Sequence, residues 1–240
     1  LAALGDSAGA IAAYAAYLEA GGKAASSVHL QSARLWVELN DTPAAITAYR
    51  AVIEDPDAPN WDVEASLLEI GLLYESLGEY SKAKHHYREL HSISPWPNDS
   101  ALALRRIAEV LWIEGDVAGA TETWIDLVQQ HPSNAHAADG YRNAIARQIE
   151  FPPNAEGLLL YRQVDLRAAH GIFSSYLERD LPPAQEGFAR YYLAAIDEDL
   201  GNDSTAIDNY LLSASLDPVA ALAVYALLGA SRLLEQHCYW

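Results

Sequence analysis

Residues 64–97 read EASLLEIGLLYESLGEYSKAKHHYRELHSISPWP, and this stretch decides the fold. Before Gly78, large apolar side chains such as Ile70 and Tyr74 follow one another at steps of three and four, and the same spacing returns after it. That spacing places them along one face of a helix. A glycine suits the turn between two helices, and Pro95 cannot continue the second. The stretch therefore predicts two amphipathic helices joined at Gly78, a first helix A and a second helix B.

The same order of residues recurs along the whole chain. Each copy carries a small residue in helix A, a turn, a small residue in helix B and then an aromatic residue; in residues 64–97 these are Gly71, Gly78, Ala83 and Tyr87. Small residues fall where two helices cross closely. The predicted turn positions are 5, 40, 78, 115, 164 and 201, at intervals of 35, 38, 37, 49 and 37 residues. The long interval predicts an extra helix near 135–149, which two consecutive prolines at 152 and 153 would end.

This pattern resembles the tetratricopeptide repeat (TPR), and the resemblance covers nearly the whole chain. It implies an all-α fold, a right-handed α-solenoid of about six TPR-like helix pairs with the extra helix near 135–149. The bend suggested by the prolines divides the chain into N-terminal repeats at 1–133, the extra helix and proline-rich bend at 134–153, and C-terminal repeats at 154–240.

Composition excludes several classes of function. Fifteen Lys and Arg stand against 33 Asp and Glu, a net charge of -18 that repels phosphate backbones and argues against nucleic acid as a partner. The longest apolar stretch, Val219 to Ala230, is too short for a transmembrane segment. The single cysteine, Cys238, allows no internal disulfide or cysteine-rich metal site. The absence of Met suggests a processed chain or a fragment.

Motifs for catalysis or metal binding are weak, and we expect no catalytic residue, no metal and no cofactor. Glu75-Ser76 resembles the acid–Ser pair of lytic transglycosylases, but the block with Gly and Met that follows it in that family is missing. Three histidines, His85, His86 and His91, lie on one helix B without an acidic ligand at the expected spacing, so solvated imidazoles are predicted. The sequence therefore indicates that the protein is not an enzyme.

The resemblance also implies where a partner would bind, because helix A lines the concave surface in this family. The family's surface positions correspond to Arg34, Leu72, Glu75, Arg105, Glu109, Trp112, Tyr161, Arg162, Tyr191, Tyr225 and Arg232. Arginine and large aromatic residues are enriched at the centres of interfaces. We expect exposed aromatics here, and arginines that pair with the carboxylates of an extended peptide or a partner's loop.

The predicted function is a non-catalytic scaffold or assembly subunit that binds another protein or an extended peptide. Residues 156–236 are similar to the superhelical arms of bacterial envelope TPR proteins and periplasmic lytic transglycosylases. This favours the bacterial periplasm or cell envelope, with the cytoplasm left open. Two alternatives remain. The chain is the arm of a lytic transglycosylase without its catalytic domain, or it is a structural subunit whose copies stack end to end.

Overall fold

A computed structural model describes residues 6–238, and this part of the chain contains thirteen α-helices and no β-strand. Their bounds are α1 Ser7–Glu19, α2 Ala25–Glu38, α3 Thr42–Ile53, α4 Asn60–Ser76, α5 Tyr80–Ile93, α6 Pro97–Ile113, α7 Val117–Gln130, α8 Ala135–Ile145, α9 Pro153–Arg162, α10 Leu166–Leu177, α11 Pro183–Asp199, α12 Asp203–Leu216 and α13 Ala221–Cys238. The predicted all-α fold is confirmed.

Five helix A–helix B pairs follow from the repeated turn, namely α2/α3, α4/α5, α6/α7, α9/α10 and α11/α12. Every turn residue predicted at 40, 78, 115, 164 and 201 has a positive φ. The values are 59° at Asn40, 72° at Gly78, 85° at Gly115, 64° at Val164 and 79° at Gly201. A left-handed residue ends a helix and reverses the chain. The sequence thus located five turns correctly, and the sixth, at position 5, lies outside the described residues.

Small and aromatic residues recur in phase with these turns. Ala45, Ala83, Ala120, Ala169 and Ala206 occupy the position five residues after each turn, and all are inaccessible to solvent. The aromatic residues nine positions after each turn are Tyr49, Tyr87, Trp124, Phe173 and Tyr210, and each is buried. In the pairs α2/α3, α4/α5, α9/α10 and α11/α12, the small residues let the two helices approach closely, and one large ring fills the space between them.

After three of the turns, an aspartate caps the N-terminus of helix B. Asp41, Asp116 and Asp165 come directly after three turns, and each carboxylate accepts a hydrogen bond from the backbone N–H three residues later, at 3.1, 2.9 and 3.2 Å. These bonds satisfy donors that the first turn of a helix leaves unpaired. The same few residues therefore end helix A and begin helix B.

Three helices stand outside the five pairs. α1 follows the first predicted turn as a single helix B, and α13 is a single helix A at the other end of the described residues. The extra helix predicted near 135–149 is α8, but it ends at Ile145 and not at 149. Gln148 has φ 63°, so the backbone has already left the helix there, before the two prolines.

The chain divides into two compact units, Leu1–Thr123 and Trp124–Trp240, which are unit 1 and unit 2 below. In unit 1, helix A of one pair contacts helix A of the next, α2 with α4 and α4 with α6. In unit 2 the same is true of α9 with α11 and of α11 with α13. Each unit therefore has a continuous surface of A helices. Among the described residues, no helix is both long and apolar enough to cross a membrane.

Candidate functional site

The A helices of unit 2 bring most of its predicted binding residues together. We call this surface the tyrosine face and define it as Tyr161 and Arg162 on α9, Tyr191, Glu198 and Asp199 on α11, and Tyr225 and Arg232 on α13. Helix α11 touches both α9 and α13, so residues far apart in sequence become neighbours. Five of these seven residues are predicted binding residues, and Glu198 and Asp199 also occupy the family's surface positions on helix A.

Aromatic rings connect the tyrosine face to the core beneath it. The ring of Tyr192 lies 5.8 Å from that of Tyr161 and 5.1 Å from that of Tyr191, and both pairs are edge-to-face. Tyr191 also lies 5.6 Å from the buried ring of Tyr210. Such arrangements are favourable and hold the rings in fixed orientations. The face therefore presents rigid phenols, which lose little entropy when a ligand covers them.

Exposure along this surface differs from the sequence prediction in one respect. Trp112, Tyr161, Tyr191 and Tyr225 were all expected to be exposed, but only Tyr225 is, at 60%. Tyr161 and Tyr191 are half-buried because neighbouring rings cover one side of each. Trp112, in unit 1, is half-buried as well. Three of the four aromatic side chains are therefore only partly accessible to a partner. Tyr225 is the one of the four whose side chain is exposed.

The phenols of Tyr161 and Tyr191 keep their protons at neutral pH. Burial, followed by the charge of Asp199 and a hydrogen bond to it, raises the pKa of Tyr161 to about 12. Burial also raises the pKa of Tyr191, with the nearby Tyr192 adding to the shift and Arg162 opposing it. The hydroxyl of Tyr191 can therefore donate a hydrogen bond to a partner, whereas that of Tyr161 donates to Asp199 and can accept one.

The two arginines of the tyrosine face have different surroundings. Arg232 forms an ion pair and hydrogen bond with Glu198, whose other oxygen accepts a 2.9 Å hydrogen bond from the hydroxyl of Tyr210. Arg162 is exposed, and its guanidinium carbon lies 6.0 Å from the centre of the Tyr161 ring. Within the described part of the chain Arg162 has no ion pair. Its charge is therefore available to a carboxylate from outside.

The A helices of unit 1 carry a network of paired charges. Arg105 forms a 2.9 Å ion pair with Glu109, and Arg106 lies 3.4 Å from Glu109 and 3.7 Å from Glu75. The hydroxyl of Tyr87 donates a 2.8 Å hydrogen bond to the other oxygen of Glu75. Two arginines thus face two glutamates, and the network is neutral without a partner.

The remaining predicted residues of unit 1 lie on the same helices. Leu72 is half-buried on α4, and Arg34 is exposed on α2 with no ion pair to any other described residue. Two of the four predicted arginines already have partners within the chain, Arg105 with Glu109 and Arg232 with Glu198. Pairing with the carboxylates of another molecule stays a prediction for all four.

A buried carboxylate in unit 2 was not expected from the sequence, in which residues 197–199 resemble a solvated acidic face. Asp197 is only 4% exposed, and it lies 3.5 Å from Nε2 of His170 and 3.3 Å from the amide of Asn202. The hydroxyl of Ser174 is 3.3 Å from the other ring nitrogen of His170. His170, Asp197 and Asn202 line an open cavity of about 830 Å³.

This Ser–His–Asp series does not have the geometry of a hydrolase. Its two contacts, at 3.3 and 3.5 Å, are longer than the hydrogen bonds that couple a nucleophile to its base. Ser174 also lies inside α10, where backbone N–H groups are used by the helix and cannot stabilise an oxyanion. The arrangement instead compensates the buried charge of Asp197.

Comparison with known proteins finds a match for one of the helix pairs. Residues 65–95 match the sequence profile of the tetratricopeptide repeat. The pair α4/α5 is therefore similar to a TPR. The matched segment holds Gly71, Ala83 and Tyr87, and the other four pairs carry small or aromatic residues at the equivalent positions. No curated protein was found to be similar to the sequence.

Solved structures of TPR and other proteins resemble the chain at low sequence identity. BtubC (BKLC) from P. vanneervenii is 16% identical, with 79% of this chain and 78% of that chain covered and a TM-score of 0.40. YrrB is 18% identical, with 83% and 90% covered and a TM-score of 0.36. The TPR domain of P58(IPK) is 17% identical, with 88% and 56% covered and a TM-score of 0.32. These likenesses are too low to transfer a function.

The repeat explains the position of Glu198. In the pair α4/α5, Glu75 precedes the core aromatic Tyr87 by twelve residues, and Glu198 precedes Tyr210 by the same number. The repeat therefore places Glu198 at the position that Glu75, a predicted binding residue, occupies in its own copy.

Proposed function

We propose that this protein is a non-catalytic scaffold that binds an extended segment of another protein along its A helices, with the tyrosine face as the main contact. The observation that supports this most is the combination of Tyr225 and Arg162, an exposed ring and an unpaired cation on one row of helices. Interfaces concentrate their binding energy in such tyrosines and arginines. A scaffold of this kind needs no cofactor.

The chemistry of the face indicates what it binds. Arg162 offers a bidentate donor that suits a carboxylate, and the phenol of Tyr191 adds a neutral donor. Glu198 is already paired with Arg232, but Asp199, which accepts a hydrogen bond from Tyr161, is exposed and suits a basic group. We therefore propose a partner segment with an acidic side chain or a C-terminal carboxylate opposite Arg162, an apolar or aromatic side chain on Tyr225, and a basic residue opposite Asp199.

Selection from a displayed peptide library tests this proposal and does not require the natural partner to be identified first. Peptides that bind the protein are sequenced, and one is labelled to measure its affinity by fluorescence anisotropy. The variant Arg162→Glu reverses the charge on the α9 side of the face, and we expect it to weaken binding by about tenfold or more. Arg167→Glu makes the same change on α10, a helix B of the same unit, and should leave the affinity unchanged.

Two results would contradict the proposal. The first is an equal effect of Arg162→Glu and Arg167→Glu, which would mean that only net charge matters. The second is a set of selected peptides that lack acidic groups and still bind Arg162→Glu normally. A separate variant examines unit 1, where Arg105 and Trp112 are replaced together by Ala. Unchanged partner binding in that variant removes unit 1 from the proposal, since these are its central predicted residues.

Self-association is a second candidate, and an exposed apolar surface supports it. On α13, Val224, Leu227 and Leu228 are 57%, 52% and 61% exposed. Adjacent apolar residues of this kind are typical of interaction surfaces. Sedimentation velocity on the wild type and on Leu227→Lys with Leu228→Lys tests the idea. A concentration-dependent assembly that the variant abolishes supports it, and a monomer at all concentrations contradicts it. The transglycosylase-arm alternative and the envelope location stay predictions.

A further inference from the structure

Three side chains capable of binding a metal ion lie together on α5, away from the tyrosine face. They are His85, His86 and Glu89, and their ligand atoms all lie within 4.8 Å of one another. The distance from Nε2 of His85 to Oε2 of Glu89 is 4.0 Å, and that from Nδ1 of His86 to the same oxygen is 3.9 Å. Residues four and three apart face the same side of a helix, which explains why Glu89 meets both imidazoles.

The ring of His86 is fixed by its surroundings, contrary to the predicted solvated imidazole. Its side chain is only 12% exposed, and it stacks on Tyr74 with 5.7 Å between the ring centres and an angle of 3° between the planes. Its Nδ1 is buried and has no hydrogen-bond partner. A buried polar atom without a partner is uncommon and calls for an explanation. A metal ion would supply the missing partner.

The other two ligands are free to adjust their positions. His85 is 74% exposed and Glu89 39%, so both side chains can rotate towards an ion without disturbing the core.

We infer that His85, His86 and Glu89 bind one zinc ion through Nε2, Nδ1 and Oε2. Two imidazole nitrogens and one carboxylate oxygen form a recognised zinc ligand set, whereas calcium and magnesium prefer oxygen ligands. Bonds of about 2.1 Å in a tetrahedron separate ligand atoms by about 3.4 Å. The observed separations of 3.9 and 4.0 Å exceed this by roughly half an ångström, which rotation of Glu89 and His85 can remove.

Some charges around the site repel a cation and others attract one. Arg50, whose guanidinium donates a 2.7 Å hydrogen bond to the hydroxyl of Tyr74, is close enough to His86 to affect it and repels a cation. Glu89 and the net charge of -18 attract one. All three ligands come from one helix, so zinc would not join separate helices. The fourth position stays open to water or to a group from another molecule.

The sequence prediction of solvated imidazoles left out Glu89, which lies four residues after His85 and three after His86. His91 faces a different side of α5, where its Nδ1 lies 2.8 Å from the hydroxyl of Ser100. It therefore provides a matched control, since it is a histidine of the same helix that does not take part in the cluster. Glu122, an exposed residue of α7, is the control for a lost carboxylate.

The test is a zinc titration of the protein without an affinity tag, in competition with a chromophoric chelator. We expect the wild type to bind one ion per chain. His85→Ala and Glu89→Gln should each lower the affinity by at least about tenfold, since even changes in the groups that merely orient metal ligands cost this much. His91→Ala and Glu122→Gln should bind like the wild type. Circular dichroism confirms that each variant is folded.

Cobalt gives an independent reading of the ligand set. The wild type loaded with Co²⁺ should show the visible absorption of a tetrahedral ion with nitrogen ligands, and His85→Ala should lose it. Three outcomes would overturn the inference. They are no stoichiometric zinc binding by the wild type, equal affinity in His85→Ala and Glu89→Gln, or equal losses in the control variants. The last two would indicate diffuse binding to surface carboxylates.

Discussion

Tyr87 donates a 2.8 Å hydrogen bond to Glu75, the residue twelve positions before it, and so connects helix B of a pair to its own helix A. The same bond, at 2.9 Å, joins Tyr210 to Glu198 in the other unit. Both tyrosine rings are buried, and both glutamates lie near the end of helix A. The repeat therefore preserves a polar contact as well as its apolar packing.

An arginine from the next helix A completes both contacts. Arg106 on α6 lies 3.7 Å from Glu75, and Arg232 on α13 is paired with Glu198. Each glutamate thus links three successive helices. Burial, followed by the hydrogen bond to the glutamate, raises the pKa of each tyrosine well above its usual value. The hydroxyl groups accordingly remain donors throughout the physiological range.

Tyr87→Phe tests the stabilising role of this contact. The substitution keeps the ring and removes one hydrogen bond to a charged group, which costs about 1.5–3 kcal/mol of unfolding free energy. Urea denaturation followed by circular dichroism measures the change. Tyr80→Phe is the matched control, because the hydroxyl of Tyr80 has no hydrogen bond to another described residue; we expect a change within about 0.5 kcal/mol. Equal effects of the two variants would contradict the assigned role.

Gly71→Ala should destabilise the protein by about 1–3 kcal/mol, because it adds a methyl group where α4 packs tightly against the ring of Tyr87 on α5. A Cβ at this position would lie 2.3 Å from the ring of Tyr87, which is fully buried and cannot move away freely. Gly171→Ala is the opposite case, because nothing lies within 4 Å of its Cβ and it sits inside α10. We expect it to stabilise by about 0.5–1 kcal/mol. Thermal unfolding of both variants distinguishes packing from helix propensity.

Val164→Gly should stabilise the protein by about 1 kcal/mol. Val164 has φ 64°, a left-handed conformation that costs an L-residue with a Cβ about 1–2 kcal/mol, whereas glycine adopts it freely. The side chain is 77% exposed, so little packing is lost. The reciprocal change Gly201→Val, at the equivalent turn with φ 79°, should destabilise. A loss of stability in Val164→Gly would show that the valine makes contacts that outweigh its strain.

His86 predicts a dependence of stability on pH. Its folded pKa of about 4 lies below the ordinary value of 6.5, so the unfolded chain binds a proton first as the pH falls. This contribution to stability is complete above pH 6.5 and is lost progressively down to about pH 4, with a slope of up to about 1.4 kcal/mol per pH unit. His86→Phe keeps the stack on Tyr74 and removes the titration. The difference in unfolding free energy between wild type and variant, measured by urea denaturation, should therefore change with pH only within this window. A difference that stays constant with pH would contradict the lowered pKa of His86.

The regular part of the fold was readable from the sequence because its cause is local. Asn40 and Val164 were predicted to be turn residues from their position in the repeat alone, although neither is a glycine. Both have a positive φ. The small residues Gly71 and Gly157 were placed correctly for the same reason. In each case a neighbouring core ring, Tyr87 or Phe173, would collide with a larger side chain.

The surface was less predictable because exposure depends on what packs beside a residue. The ion pair of Arg105 with Glu109 spans four residues of one helix, and this spacing could have revealed it. The pair of Arg232 with Glu198 spans 34 residues and depends on the approach of α13 to α11. No periodic pattern identifies such a contact until the two helices are known to be neighbours.

Site-specific photo-crosslinking tests most directly whether a partner lies along the A helices. Benzoylphenylalanine replaces Tyr225 on α13 or, as a control, Leu211 on α12, a helix B residue that is 44% exposed. The protein is then irradiated with a peptide selected for binding. We predict a covalent adduct from position 225 and none from position 211. Adduct formation at 211 and not at 225 would contradict the proposed binding surface.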